Sequence, residues 1–392
     1  MDLRFTREDE EFREEVQTWL AEHLHGDYAQ LGGAGGPGRE HEGLEVRAEW
    51  ERELGRGGWI GVGWPAEHGG RGASLMQQVI FAEEYARADA PARMGHVGEQ
   101  LLGPTLIAFG TDDQRRRFLP GILAGEEMWC QGYSEPGAGS DLAAVRTRAV
   151  LDGGQRWLIS GQKVWTSLAA HADWCFVLAR SDPDAPKHKG LSYLLVPMRQ
   201  PGIDIRPIVQ ITGTSEFSEV FFDDAATDAD NIVGEPGDGW RVALGTLGFE
   251  RGVATLAQQI GFERELRQVI EAARESGALD EPAIRDRLVD AWVGLRVLRY
   301  NALRTLARTG ADAANAASVA KLLWSTWHQR LGELAMDVRG VAATLADAPP
   351  YELSGAQRLF LFTRADTIYA GSSEVQRNII AERMLGLPRE AR

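Results

Sequence analysis

Positive charge is in short supply in this chain. Lys and Arg number 42 against 57 Asp and Glu, a net charge of −15. A nucleic acid or an anionic membrane needs a basic surface, so neither is expected as a partner. A local cationic pocket for a phosphorylated small molecule stays open. Cysteine is scarcer still. Cys130 and Cys175 lie in segments of β character, and with no nearby partner they read as buried, reduced thiols rather than a disulfide or a metal site. The eight histidines show no paired ligand spacing, so no metal is implied. The longest apolar runs fall far short of the ~18 residues that cross a bilayer. The N-terminus, Met-Asp-Leu-Arg-Phe-Thr-Arg-Glu-Asp-Glu, lacks the apolar core of a signal peptide. These absences point to a cytoplasmic protein without membrane insertion.

What is present suits a globular protein of two or three domains: 392 residues, 44% hydrophobic and 25% charged. Residues 6–25 carry Phe12, Val16, Trp19 or Leu20, and Leu24 at helical spacing, with Thr6 and Asp9 at the spacing of a capping box. A Gly-rich segment, 26–43, reads as an exposed loop. Helices follow over 44–57, 74–88, 97–109 and 112–124. After Glu127 the pattern changes to short β-rich runs: 145–151, 156–160, 174–180, 191–196, 203–209 and 218–222. From Trp240 it is helical again, over 239–275, 281–308, 312–338 and 354–367. A last helix, 374–385, is introduced by Ser373-Glu-Val-Gln376 as a capping box. The expected organisation is an α+β multidomain chain: an N-terminal helical domain (1–126), a central β domain (127–235) and a C-terminal helical bundle (236–392).

Three stretches and one carboxylate can carry chemistry. Gln131-Gly-Tyr-Ser-Glu-Pro-Gly-Ala-Gly-Ser-Asp141 has too much Gly and Pro for regular structure and permits close backbone approach. It is compatible with a phosphate cradle or with a plain turn. Gly161-Gln-Lys-Val-Trp-Thr-Ser167 sets a flat indole before two hydroxyls, and Ile368-Tyr-Ala-Gly-Ser-Ser-Glu374 interrupts two helices. A core aromatic and ordinary helix capping explain these equally. Glu250 continues a stripe with Ala243, Leu247 and Ala254, which suits either a buried general base or a surface pair with Arg251.

Taken together, Glu-Pro-Gly-Ala-Gly-Ser-Asp, Lys-Val-Trp-Thr-Ser and Ile-Tyr-Ala-Gly-Ser-Ser-Glu-Val-Gln-Arg-Asn-Ile-Ile-Ala resemble the acyl-CoA dehydrogenase family in order and spacing. The likeness runs from the N-terminal helices through Gly-Trp-Pro-Ala-Glu-His-Gly-Gly to the last helix. It implies a helical domain, a β-barrel-like domain and a four-helix bundle, with FAD between the last two. By the same resemblance, Gln131, Tyr133, Ser134, Gly139, Ser140, Trp165, Thr166, Ser167, Ser372 and Glu374 are the cofactor-binding residues. Tyr133 and Ser134 are expected against the isoalloxazine ring, with Ser167 donating toward N5. Ser140, Leu247, Arg251, Ala370 and Gly371 are expected on the substrate side. The implied reaction takes an acyl-CoA thioester to its trans-2-enoyl form. A carboxylate removes the α-proton, hydride passes to flavin N5, and the Ala370 N–H polarises the thioester oxygen. Electron-transfer flavoprotein or a similar acceptor is the implied oxidant, and a homotetramer or homodimer the implied assembly.

The departures are informative. Many members of the family place the catalytic glutamate where this chain has Ala370. A minority place it on a bundle helix just before an arginine, and Glu250-Arg251 fits that pattern, making Glu250 the expected base. Gly248 replaces the usual Asp before the base, no pyrophosphate-binding arginine motif is recognisable near 270–285, and Asp337-Val-Arg-Gly-Val341 replaces a Gln-x-Phe-Gly-Gly. These features belong to subunit contacts, so an α2β2 assembly with a related chain is a further expectation. Other readings are a dehydrogenase of carrier-protein-bound acyl groups, a flavin oxygenase on the same scaffold and a non-catalytic structural subunit.

Overall fold

The computed structural model describes residues 5–36, 38–249, 254–306, 310–346 and 352–388. The first helices are α1 (Arg7–His23), α2 (Asp27–Gln30), α3 (Leu44–Arg56), α4 (Leu75–Arg87), α5 (Gly103–Phe109) and α6 (Asp112–Leu123). The strands are β1 (Trp129–Gly132), β2 (Arg148–Asp152), β3 (Arg156–Ser167), β4 (Trp174–Arg180), β5 (Leu191–Pro197), β6 (Ile203–Ile208) and β7 (Phe217–Asp228). Then come α7 (Gly239–Phe249), α8 (Ala254–Glu275), α9 (Pro282–Leu306), α10 (Gly310–Arg339), α11 (Gly355–Thr363) and α12 (Ser373–Ile379). The chain forms two compact units. One contains 11–78 and 88–251; the other contains 1–10, 79–87 and 252–392. Among the described residues no helix is long and apolar enough to cross a membrane.

In the larger unit the strands make one curled seven-stranded sheet in the order β1-β4-β2-β3-β7-β6, with β5 added beside β4. β1 runs parallel to β4, whereas β3 pairs antiparallel with both β2 and β7. Two cores flank it. One joins Leu102, Leu106, Phe118 and Trp129 to Phe176, Tyr193 and Val242; the other gathers Ile159, Cys175, Val177, Leu194 and Val220. β4 and β5 are buried along nearly their whole length, as their unbroken apolar runs require. The smaller unit has its own core of Phe262, Leu266, Leu288, Leu295, Trp327, Leu331 and Leu334, all on the inward stripes of α8, α9 and α10.

Local chemistry explains most boundaries. Thr6 and Asp9 do form a reciprocal cap: Thr6 N–H donates to Asp9 Oδ2 at 2.8 Å and Asp9 N–H to Thr6 Oγ1 at 3.2 Å. Thr111 and Gln114 cap α6 in the same way. Three expectations need correction. The loop 26–43 contains the short α2. The last helix is capped by Ser372, whose Oγ accepts from Val375 N–H at 3.3 Å, while Ser373 is its buried first residue. Cys130 and Cys175 are not isolated from each other. They are register partners across β1 and β4 and are buried free thiols, and their contact, with burial, raises the Cys130 thiol well above its usual range. β3 and β7, 12 residues each, extend well beyond the runs read from sequence. Bulges at Ile159/Gly161 and Lys163/Thr166 absorb the irregular residues without ending the ladder. At Gly161, φ is +154° and a Cβ would fall 2.6 Å from Thr147 Oγ1, so glycine is required there.

Candidate functional site

The second bulge creates the most exposed aromatic feature of the β domain. Between Lys163 and Thr166 the register slips, and Trp165 adopts φ +62°. That conformation costs a non-glycine residue roughly 1–2 kcal/mol. The indole is 58% exposed and meets Phe217 only edge-on, with ring centroids 6.2 Å apart. A large aromatic extruded against its own backbone preference is a surface built for a ligand. The next side chain turns inward: Thr166 is buried, and its Oγ1 has no hydrogen-bond partner.

Trp165 and Ser167 border a cleft of about 190 Å³ that is also lined by His96, Val97, Gln100, Leu101 and Gln131. Residues 98–102 form a π-helical turn ahead of α5, an irregularity common at functional sites. Gln131 Nε2 is buried without a partner. An orphan donor lining the cleft is a group that a bound molecule would satisfy. His96 Nδ1 lies 3.0 Å from the Arg93 carbonyl. A carbonyl can only accept, so Nδ1 carries a proton.

The loop 131–141 is fastened from beneath by Lys163. Its ammonium is fully buried and donates to the Tyr133 carbonyl at 3.0 Å, Glu135 Oε1 at 2.9 Å and the Leu178 carbonyl at 2.7 Å. Three acceptors consume all three protons, so the lysine is held as a cation although burial pushes its pKa down. Burial works against the Glu135 charge too, yet Lys163 holds that carboxyl below its usual range. Glu135 also accepts from Arg146 N–H at 2.7 Å and Thr147 N–H at 2.8 Å. Above this anchor, Glu135 and Ala138 exchange two backbone bonds of 3.0 Å, and Val164 N–H donates to the Ser134 carbonyl at 2.9 Å. Gly139 and Ser140 stay exposed at the rim, and Asp141 pairs with Lys187. The ring of Tyr133 is buried edge-on against Phe176 and Tyr193, while its main chain belongs to the loop that Lys163 fastens.

In the same unit, α7 carries Leu247, half-buried against the core. Thr246 bonds Thr105 of α5 at 2.8 Å and the Val242 carbonyl at 3.1 Å, and at Gly245 a Cβ would lie 2.4 Å from Phe109. α7 is thereby seated tightly on α5. Glu250 and Arg251 lie outside the described residues.

The smaller unit carries the C-terminal loop. Ala370 and Gly371 both have positive φ, +52° and +85°. At Gly371 a Cβ would meet Gln376 Nε2 at 2.3 Å, which leaves glycine as the residue that fits. Ala370 is exposed. Ser372 caps α12, and Glu374 is exposed beside Arg377 at 3.4 Å. Among the expected residues, then, Gln131, Trp165 and Ser167 share one cleft. Thr166, Ser134, Gly139 and Ser140 belong to the same bulge and loop, and Ala370, Gly371, Ser372 and Glu374 share the other unit's loop.

Family models for the N-terminal, middle and C-terminal domains of acyl-CoA dehydrogenases match residues 6–126, 130–225 and 237–385. The chain belongs to the acyl-CoA dehydrogenase family. It is 62% identical over 383 residues to the acyl-CoA dehydrogenase IpdE1 of Mycobacterium tuberculosis, covering 98% of this chain and 99% of that one. Among solved structures it resembles the Tcur3481-Tcur3483 steroid ACAD (TM-score 0.84, 32% identity, all of both chains). It also resembles the ChsE4-ChsE5 complex of M. tuberculosis (TM-score 0.83, 33% identity, all of both chains).

Acyl-CoA dehydrogenases are FAD-dependent oxidoreductases, and the residues present fit that cofactor. A flat exposed indole suits a ring system, and the orphaned Gln131 Nε2 suits its carbonyl or ring-nitrogen acceptors. We expect Trp165→Gly to make the protein slightly more stable to heat, because glycine accepts φ +62° freely. The same change should weaken FAD retention about tenfold or more, read by fluorescence titration of apoprotein. Tighter flavin binding in the variant would remove the indole from the site. Sequence reasoning missed three residues of the candidate site: His96 and Gln100, which line the cleft and carry no motif, and Lys163. The one available signal was that Lys163 shares the inward face of β3 with Trp157 and Ile159, where a lone charge needs a partner.

Proposed function

We propose that this acyl-CoA dehydrogenase acts on the CoA thioester of a bulky, steroid-derived acid, introducing a double bond between the α and β carbons. Glu250 takes the α-proton, and the backbone N–H of Ala370 polarises the thioester oxygen as enolate character develops. When bound, FAD would supply the acceptor for the hydride leaving the β-carbon, so that one C–C double bond would form as one proton and one hydride depart. The observation that carries this reading is the exposed indole at the second bulge of the β domain. Trp165 is held in a costly conformation at a cleft it shares with the orphaned Gln131, and a subunit with a purely structural role has no use for that arrangement. The substrate class rests on similarity over the whole chain to the steroid ACAD.

A second, related chain is the proposed partner in an α2β2 assembly. Two similar structures bear names that join two chains, and this sequence lacks the arginine motif near 270–285. α9 supports the idea with Val289, Trp292, Val293, Val297 and Tyr300, all exposed and on one side of the helix, an apolar stripe wide enough to be an interface. The test is anaerobic addition of graded acyl-CoAs to the flavin-loaded protein, alone and co-purified with candidate related chains. We expect a polycyclic acyl-CoA to bleach the flavin at least tenfold faster than a straight-chain one of similar carbon number. Equal rates, or a preference for the straight chain, would reject the substrate class. A stable, fully flavinated homo-oligomer that turns over by itself would reject the partner.

A further inference from the structure

We propose that His328, held as a cation between Glu265 and Asp366, is a positioning residue for the loop that presents Ala370, and that loss of its proton releases this loop. The inference rests on the reading in which the Ala370 N–H serves the thioester. Both ring nitrogens of His328 meet a carboxylate oxygen, Nδ1 with Asp366 Oδ2 and Nε2 with Glu265 Oε2, each at 2.7 Å. A neutral imidazole has one N–H and one lone pair, so one of these contacts would set lone pair against lone pair. The imidazolium donates to both.

The three residues lie on α10, α8 and the segment after α11, which the ring therefore ties together. His328 and Asp366 are buried, and the ring packs on Phe262 at 4.3 Å and nearly parallel to Trp327. Asp366 is the node of the network. Its Oδ1 accepts from Tyr369 OH at 2.7 Å and its carbonyl from Lys321 Nζ at 2.6 Å. The Lys321 ammonium in turn lies over the rings of Trp324 and Tyr369, at 4.0 and 4.4 Å. Further along the same face of α10, Gln329 Nε2 donates to Thr367 Oγ1 at 3.1 Å, and the Thr367 carbonyl accepts from Ser373 N–H at 2.9 Å. At Gly332 a Cβ would fall 2.6 Å from Thr363 Oγ1, so α10 approaches the end of α11 closely. Ala370 has only an exposed methyl and yet holds φ +52°. The restraint on it must come through its neighbours, and those neighbours are fixed by Asp366.

Burial opposes the His328 charge, but the bonds to Asp366 and Glu265 outweigh it and raise the pKa from 6.5 to about 9. The facing groups that set this balance are Glu265 on α8, Asp366 and Tyr369 on the loop, and Lys321 on α10. A raised pKa gives stability that is complete below 6.5, where folded and unfolded chains both hold the proton. It is lost as the pH climbs through about 9.

The decisive measurement is a nitrogen-15 titration of the flavin-loaded protein labelled at histidine, with His328 assigned by its disappearance in His328→Gln. We expect both ring nitrogens protonated at neutral pH, and a midpoint well above that of a free imidazole. In Asp366→Asn, which removes one carboxylate and keeps the shape, the midpoint should fall. Hydrogen exchange over residues 363–376 should rise at least tenfold in His328→Gln, and flavin reduction by a substrate should slow at least tenfold with KM little changed. A neutral tautomer at neutral pH overturns the clamp, as does unaltered exchange. An undiminished flavin-reduction rate in His328→Gln overturns the positioning role. The titration and the exchange need no substrate, so a protein that shows the clamp but is reduced by no acyl-CoA defeats the dehydrogenase reading instead. Should His328→Gln not fold, wild type and Asp366→Asn still decide.

Discussion

Glu250→Gln should purify yellow, with a full complement of FAD, and lose flavin reduction by acyl-CoA about 10²–10⁴-fold. The amide has the size of the carboxylate but cannot take a proton at neutral pH, so the substitution removes the base and little else. The α-proton of a thioester is only weakly acidic, and polarisation of its oxygen by a backbone N–H does not replace a proton acceptor. On α7, Ala243 is buried and Leu247 half-buried against the core. Stopped-flow absorbance under anaerobic conditions measures the rate directly. Reduction of the variant at near wild-type speed would assign the base elsewhere.

The second large effect is expected at Lys163. Lys163→Met leaves Glu135 buried without its cation and the Tyr133 and Leu178 carbonyls without their donor. Breaking one side of a buried pair typically costs about 3–5 kcal/mol. Because Glu135 also holds the backbone at Arg146 and Thr147, the damage should spread through the whole 131–141 loop. We expect a lower melting temperature and loss of most bound FAD. Lys163→Arg should not rescue it, since a planar guanidinium cannot converge on three acceptors around one nitrogen. Adding Glu135→Gln to Lys163→Met should recover part of the stability by removing the stranded charge, but not the flavin. Melting curves and flavin-to-protein ratios test all three. A Lys163→Met protein with normal flavin content would show that the loop holds its shape without the clamp.

These two sites were unequally legible. Glu250 could be singled out because its spacing to Ala243 and Leu247 and its neighbour Arg251 are properties of a single stretch of chain. Lys163 sat inside a quoted motif, yet its role depends on Glu135 and Leu178, which local spacing does not connect to it. Only four lysines occur in the chain, and two of them, Lys163 and Lys321, are buried at nodes that fasten a loop. In so arginine-rich a sequence, lysine marks places where a compact three-proton donor is needed. Cys130 and Cys175 teach the same lesson. Forty-five residues separate them in sequence and the register of β1 on β4 sets them side by side.

By itself the sequence determined the succession of helical, β and helical regions, the cap at Thr6 and Asp9 and the three motif stretches. Periodicity, capping and glycine placement act over a few residues and can be read locally. What the tertiary structure decided was which of those residues work together. Strand register made Trp165 protrude and turned Thr166 and Lys163 inward. It also buried the ring of Tyr133 and brought His96 and Gln100 to the cleft of Gln131 and Ser167. Packing of α10 on α8 and on the segment after α11 set both nitrogens of His328 against carboxylates. The bonds of Lys163 and His328 join residues 15 to 63 positions apart, and only the folded chain brings such residues into contact.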